Sequence, residues 1–138
     1  MEKIISGYIS ISDYSSYNIF INNERITDIL WDIVQNESTV GKNIHKDSGL
    51  GKKKTILYNC QMYAYFTKSE CTVEEAQEAL DTYLYTGEGV CECSGEYSGY
   101  SEWTITGFDI DEFEINGHDL KAIFNEHAGE YVNFVINY

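Results

Sequence analysis

Proline is absent from all 138 residues, while Ile, Asn, Tyr and Lys abound. That composition suggests an AT-rich genome and carries no mechanism. No apolar stretch approaches the roughly 18 residues a transmembrane helix needs. The opening Met-Glu-Lys-Ile-Ile-Ser-Gly-Tyr lacks the apolar core of a signal peptide. With no secretory signal, the four Cys read as reduced thiols of a cytoplasmic protein. Basic residues are far outnumbered: 9 Lys and Arg face 23 Asp and Glu, for a net charge of −14. A charge of that sign argues against nonspecific binding to nucleic acid or to an anionic membrane as the main activity.

Several site chemistries are missing as well. Gly49-Leu50-Gly51-Lys52-Lys53-Lys54-Thr55 lacks the Gly-x4-Gly-Lys-Ser/Thr spacing of a phosphate loop, and Lys53 stands where the magnesium-binding hydroxyl belongs. No Gly-x-Ser-x-Gly turn offers a strained nucleophile. Cys91-Glu92-Cys93 has one intervening residue, where structural zinc sites use two to four and a second pair. The acids Asp109, Asp111, Glu112 and Glu114 lack the spacing and the glycine of a calcium loop. On strand alternation Ile110 and Glu112 share one face, and Asp111 and Phe113 the other. Asp119 suits the first turn of a helix by its charge, and His127 continues an apolar stripe. The reading is a chain with no catalytic constellation, no cofactor and no metal.

What is present is a foldable chain. It is 43% hydrophobic and 14% aromatic, too apolar for disorder, and long enough for one domain with a real core. Its charge is uneven. Residues 1–68 hold eight basic and seven acidic side chains; residues 69–138 hold sixteen acids against Lys121 alone. Five Lys fall within Lys42–Lys54, and with Gly49 and Gly51 the segment 36–54 reads as a mobile basic loop.

The patterning predicts an α+β fold, a mainly antiparallel sheet with three short helices. Ile4–Ile11 and Tyr17–Ile21 read as a hairpin. The stripe Ile26, Ile29, Leu30, Ile33 and Val34 predicts a first helix. Thr55–Thr67 reads as one long strand. Thr72 with Glu75 predicts a capping box, opening a helix from Val73 to about Tyr85 that buries Leu80, Tyr83 and Leu84, with Gly87 as its stop. Gly89–Cys93 reads as a short strand, Ser94–Ser98 as a turn, and Tyr100–Thr106 with Ile110–Ile115 as a hairpin. Leu120, Ile123, Phe124 and His127 predict a third helix, and Tyr131–Tyr138 a last strand. An unpaired Asn133–Tyr138 would allow a homodimer by strand pairing.

Two segments echo each other at an offset of 94. Ile11, Ile21, Asn22 and Ile29 match Ile105, Ile115, Asn116 and Ile123, with Tyr14 set against Phe108 and Ile26 against Leu120. If the echo is a repeat, the fold holds two β-hairpin–helix units of opposite electrostatic character.

Tyrosine is the distinctive residue, with 12 in the chain. Gly95-Glu96-Tyr97-Ser98-Gly99-Tyr100-Ser101-Glu102-Trp103 sets aromatics among acids. Tyr and Trp give large contact area at low entropic cost. The runs Gly99–Ile105, Phe113–Leu120 and Gly129–Val132 resemble small acidic proteins of phages and mobile elements of low-GC Gram-positive bacteria, a set with no established activity. The resemblance implies a prior only: such proteins often inhibit host defence, some by presenting carboxylates where a nuclease expects phosphates.

The expectation is therefore a non-enzymatic inhibitor of a host defence or nucleic-acid-handling protein, anti-CRISPR-like, acting in the cytoplasm of an infected bacterium. Its partner would be a basic protein such as a CRISPR effector, with no direct nucleic acid and no membrane. The binding residues would be Glu92, Glu96, Tyr97, Tyr100, Glu102, Trp103, Asp109, Asp111, Glu112 and Glu114. The alternative is a binder or sponge for a nucleotide signal, holding phosphates with His45, Lys52, Lys53 and Lys54.

Overall fold

A computed structural model describes the backbone of residues 2–12, 19–26, 28–29, 42–47, 52–98 and 104–137, and side chains within 2–12, 19–26, 28–29, 60–90 and 113–137. Among the described residues nine strands form one antiparallel sheet: β1 (Glu2–Ile11), β2 (Ile19–Ile21), β3 (Glu24–Arg25), β4 (Lys42–Asp47), β5 (Lys52–Thr67), β6 (Tyr83–Ser98), β7 (Thr104–Ile115), β8 (His118–Asp119) and β9 (Tyr131–Asn137). Their order is β3-β2-β1-β9-β5-β6-β7-β8, with β4 joined to the outer part of β5. Two helices have defined extents, α1 (Val73–Glu78) and α2 (Leu120–Glu126), where three were expected. Of the first expected helix, Ile26, Asp28 and Ile29 are described, and their backbone is helical.

The strand order reads the same from either end if β1 exchanges with β6, β2 with β7, β3 with β8 and β9 with β5. The register obeys the same exchange. Ile9 faces Ile21 as Gly89 faces Ile115; Ile5 faces Phe134 as Tyr85 faces Ala64. Asn22 N–H donates to Tyr8 O and Asn116 N–H to Glu88 O. Both short hairpins turn through positive φ, at Asn22 and Asn23 in one and Asn116 and Gly117 in the other, as the twist of a two-residue hairpin requires. The expected echo therefore holds from Ile21/Ile115 to Ile29/Ile123. It fails upstream: Ile11 pairs with Ile19, whereas Ile105 pairs with Tyr97, so the first strands correspond at an offset of 80 instead. Gly7 and Gly87 are that correspondence. A Cβ on Gly7 would sit 2.5 Å from Asn22 Cβ, and one on Gly87 would overlap Asn116 Cβ.

The core lies on one face. Ile26, Leu120 and Phe124 are fully buried against Met62, Phe66, Phe113, Phe134 and Ile136. Each such side chain contributes about 1.5–3 kcal/mol on leaving water. The other face carries Tyr65 and Val135, closed over by Ala76 of α1.

Four expectations are corrected. The helix from Val73 ends at Glu78, because the chain turns at Ala79, whose ψ is 134°, and the Thr82 hydroxyl donates to Ala76 O at 2.6 Å. Tyr83 then pairs with Phe66 as a strand, which leaves Leu80, Tyr83 and Leu84 exposed and Gly87 inside β6. The expected capping box is present: Thr72 Oγ1 accepts from Glu75 N–H at 3.1 Å and Glu75 Oε1 from Thr72 N–H at 3.1 Å. Ser94–Ser98 is the end of the sixteen-residue β6, and β7 is one strand where a hairpin was expected. Within the expected loop at 36–54, Lys42–Asp47 and the residues from Lys52 onward are paired strands. Finally, β9 lies between β1 and β5 with both edges filled, so Asn133–Tyr138 offers no strand pairing to a second subunit over the described Asn133–Asn137.

Candidate acidic binding surface

β6 carries Glu88, Glu92 and Glu96, and β7 carries Asp109, Asp111, Glu112 and Glu114; neither strand has a Lys or Arg. Pairing brings these acids together. Glu92 lies opposite Glu112, Asp109 opposite Ser94, and Glu114 opposite Val90. The like-charged pair Glu92–Glu112 is a local cost, since like charges directly across a ladder are destabilising. Between Ile110 and Glu112 the register shifts: Glu112 faces Glu92 while Ile110 faces the adjacent Cys93, which leaves Asp111 at a bulge. The alternation expected for Ile110 through Phe113 is therefore broken. Bulges bend a strand and re-aim its side chains. Beyond Glu114 and Ile115, which pair with β8, the outer edge of β7 has no partner among the described residues. Acids on such an edge discourage other strands from adding to it.

Of the expected site, Glu92, Glu96 and Tyr97 stand on β6, and Asp109, Asp111, Glu112 and Glu114 on β7. Tyr100, Glu102 and Trp103 lie outside the described residues. The residues of the alternative phosphate site stand on β4 and β5. His45 faces Lys54 and Lys46 faces Lys53, but Lys52 stands between Asp47 on β4 and Glu96 on β6. An acid at each side of Lys52 weakens it as a phosphate ligand.

A second cluster sits at the end of α2. His127 caps the helix as a packed histidine, its ring stacked 4.1 Å from Phe66. Its Nδ1 is hydrogen-bonded to Glu130 Oε2, and its Nε2 is buried without a partner. Tyr85 hydroxyl donates to Glu126 Oε2 at 3.3 Å. Burial, then the hydrogen bond with Tyr83 and the Glu126 carboxylate, push the Tyr85 hydroxyl up to about 12. Glu130 was missed in the sequence; the signal was its position three residues after His127, across the helix end. Asp119 acts as the cap of α2, its carboxylate accepting from Lys121 N–H at 2.9 Å.

Cys60 is buried and its thiol donates to Gly89 O at 3.3 Å; burial pushes it up to about 11. Such a thiol is a core residue and not a nucleophile. Among the described residues, no group of three or more His, Cys, Asp and Glu side chains is placed to hold a metal ion, and no helix is long and apolar enough to cross a membrane. No protein-family model, curated protein or solved structure matches the chain.

Proposed function

We propose that this chain is a non-enzymatic binding protein that inhibits a nucleic-acid-handling protein, such as a component of host defence. The observation that carries the reading is the pairing of β6 with β7, two long strands with seven acids and no base. Carboxylates spaced along paired strands offer a basic groove what it meets in a phosphate backbone. A field of one sign steers such a partner and raises its on-rate. Tyr97, Tyr100 and Trp103 are the proposed aromatic anchors.

The test is a tagged pull-down from nuclease-treated bacterial lysate washed at low and high salt, followed by reconstitution with the purified partner. The expected result is a stoichiometric basic protein that leaves at high salt and whose DNA or RNA binding this chain blocks. Charge reversal at Glu92, Asp109, Asp111 and Glu112 together should abolish the complex. Undiminished binding by that variant would refute the reading.

A further inference from the structure

The face of the sheet opposite the main core is only partly covered. Its central rows run Ser6, Asn133, Tyr65, Leu84 and Ile4, Val135, Tyr63, Thr86 across β1, β9, β5 and β6. Helix α1 crosses them with Ala76 on Tyr65 and Val135. Beside the helix lies an open cavity of about 410 Å³, lined by Glu2, Ile4, Tyr63, Tyr65, Glu74 and Val135 among others. Its floor is aliphatic and aromatic. Tyr63 and Tyr65 hold parallel rings 6.4 Å apart, and Gln77 donates to the Tyr65 hydroxyl at 3.3 Å, which fixes that ring. Its rim carries Glu2 and Glu74, and among the described residues no Lys or Arg lines it. Ile4, which it shares with a second recess beside Glu70, is 47% exposed although it stands in the middle of the sheet.

This combination is specific in its demand. An apolar floor with exposed aliphatic surface calls for a hydrocarbon stem. Carboxylates at the rim call for a cation. A tyrosine face stabilises a planar cation laid against it. The arginine side chain has all three properties, since it buries its methylenes on apolar surface and stacks its guanidinium on aromatic rings.

We propose that this trough is a subsite for an arginine side chain of a protein partner, with the stem on Ile4 and Val135 and the guanidinium between the Tyr63 ring and the carboxylates of Glu2 and Glu74. The proposal rests on reading the chain as a binder of a basic protein, and adds to it a defined anchor outside the acidic strands. The row Glu2, Asn137, Gln61, Glu88 borders the trough on the side toward the outer part of β6. One basic partner can therefore lie along both.

The experiment is an NMR titration of the whole chain with Nα-acetyl-L-arginine amide, against its neutral isostere Nα-acetyl-L-citrulline amide. Saturable shifts are expected at Ile4, Tyr63 and Val135 with the arginine compound, at least about fivefold weaker with citrulline. The double variant Glu2→Gln, Glu74→Gln removes charge at two exposed positions without touching the Thr72–Glu75 cap, and should weaken binding by about threefold or more. Equal shifts with citrulline, absence of saturable shifts at the trough, or no loss in the double variant would each overturn the proposal. The four-site reversal on β6 and β7 should leave these shifts in place. Their loss there would move the cation to the acidic strands and overturn the trough, whereas partner binding that survives that reversal defeats the first reading alone.

Discussion

The two halves of the sheet solve one packing problem with different volumes. Where the first half carries the Ile9 side chain on β1, the second carries Gly89 on β6, with the Met62 side chain of β5 in the space a Cβ there would take, so the volume has changed strands. Ala64 and Phe134 face each other where the exchange of halves maps each onto the other. Two Phe there would collide and two Ala would leave a void; one of each fills the space. Equivalent backbones thus tolerate unlike sequences as long as paired volumes are conserved. Charge is under no such constraint, and the halves differ in it freely.

The largest test of equivalence is in the helices. Ile26→Ala and Leu120→Ala remove side chains that are both fully buried at corresponding positions. Each should lose about 3 kcal/mol or more in urea unfolding; a loss confined to one would show that only that half depends on its helix. Next come Gly7→Ala and Gly87→Ala, each expected to cost about 2–3 kcal/mol through collision with the asparagine turn.

A smaller effect separates the halves by pH. Cys60 corresponds to Glu130 in the other half, and burial pushes its thiol from the ordinary 9.0 up to about 11. The folded state therefore holds the proton longer. Stability should be level below pH 9 and fall as pH rises toward 11, by up to about 1.4 kcal/mol per unit. Cys60→Ala should reduce that slope, measured as unfolding free energy against pH, whatever its effect at neutral pH. His127→Phe should change stability by less than about 1 kcal/mol, since loss of the Glu130 hydrogen bond is offset by removal of the unpartnered Nε2. Smallest of all, Glu112→Lys opposite Glu92 should stabilise by a few tenths of a kcal/mol, about 0.5.

The hairpin at the start, the long central strand, the capping box and the last strand were all legible, because alternation and cap chemistry act over a few residues. The end of α1 was not. Leu80, Tyr83 and Leu84 continue a helical period, yet the pairing of Tyr83 with Phe66 overrides it. Ser94-Gly95 and Ser98-Gly99 look like turns in isolation, yet β6 runs through the first because β5 and β7 hold it on both sides, and reaches Ser98 of the second through its pairing with β7. The acids of the proposed surface were visible as composition; that Glu92 meets Glu112 is a matter of register. The trough was invisible, since it joins Glu2, Tyr63, Glu74 and Val135 from four distant stretches. Tyr63 and Tyr65, two residues apart on a strand, were its one local trace.

The position of β9 has a consequence for how the protein is made. β1 is synthesised well before its partner along Glu2–Tyr8, the segment Tyr131–Asn137. The same segment fills the inner half of β5. Until those residues are synthesised, two strands wait with open backbone edges and the sheet stays in two parts. Folding is then expected to be slow, with its slow step the insertion of β9 between β1 and β5.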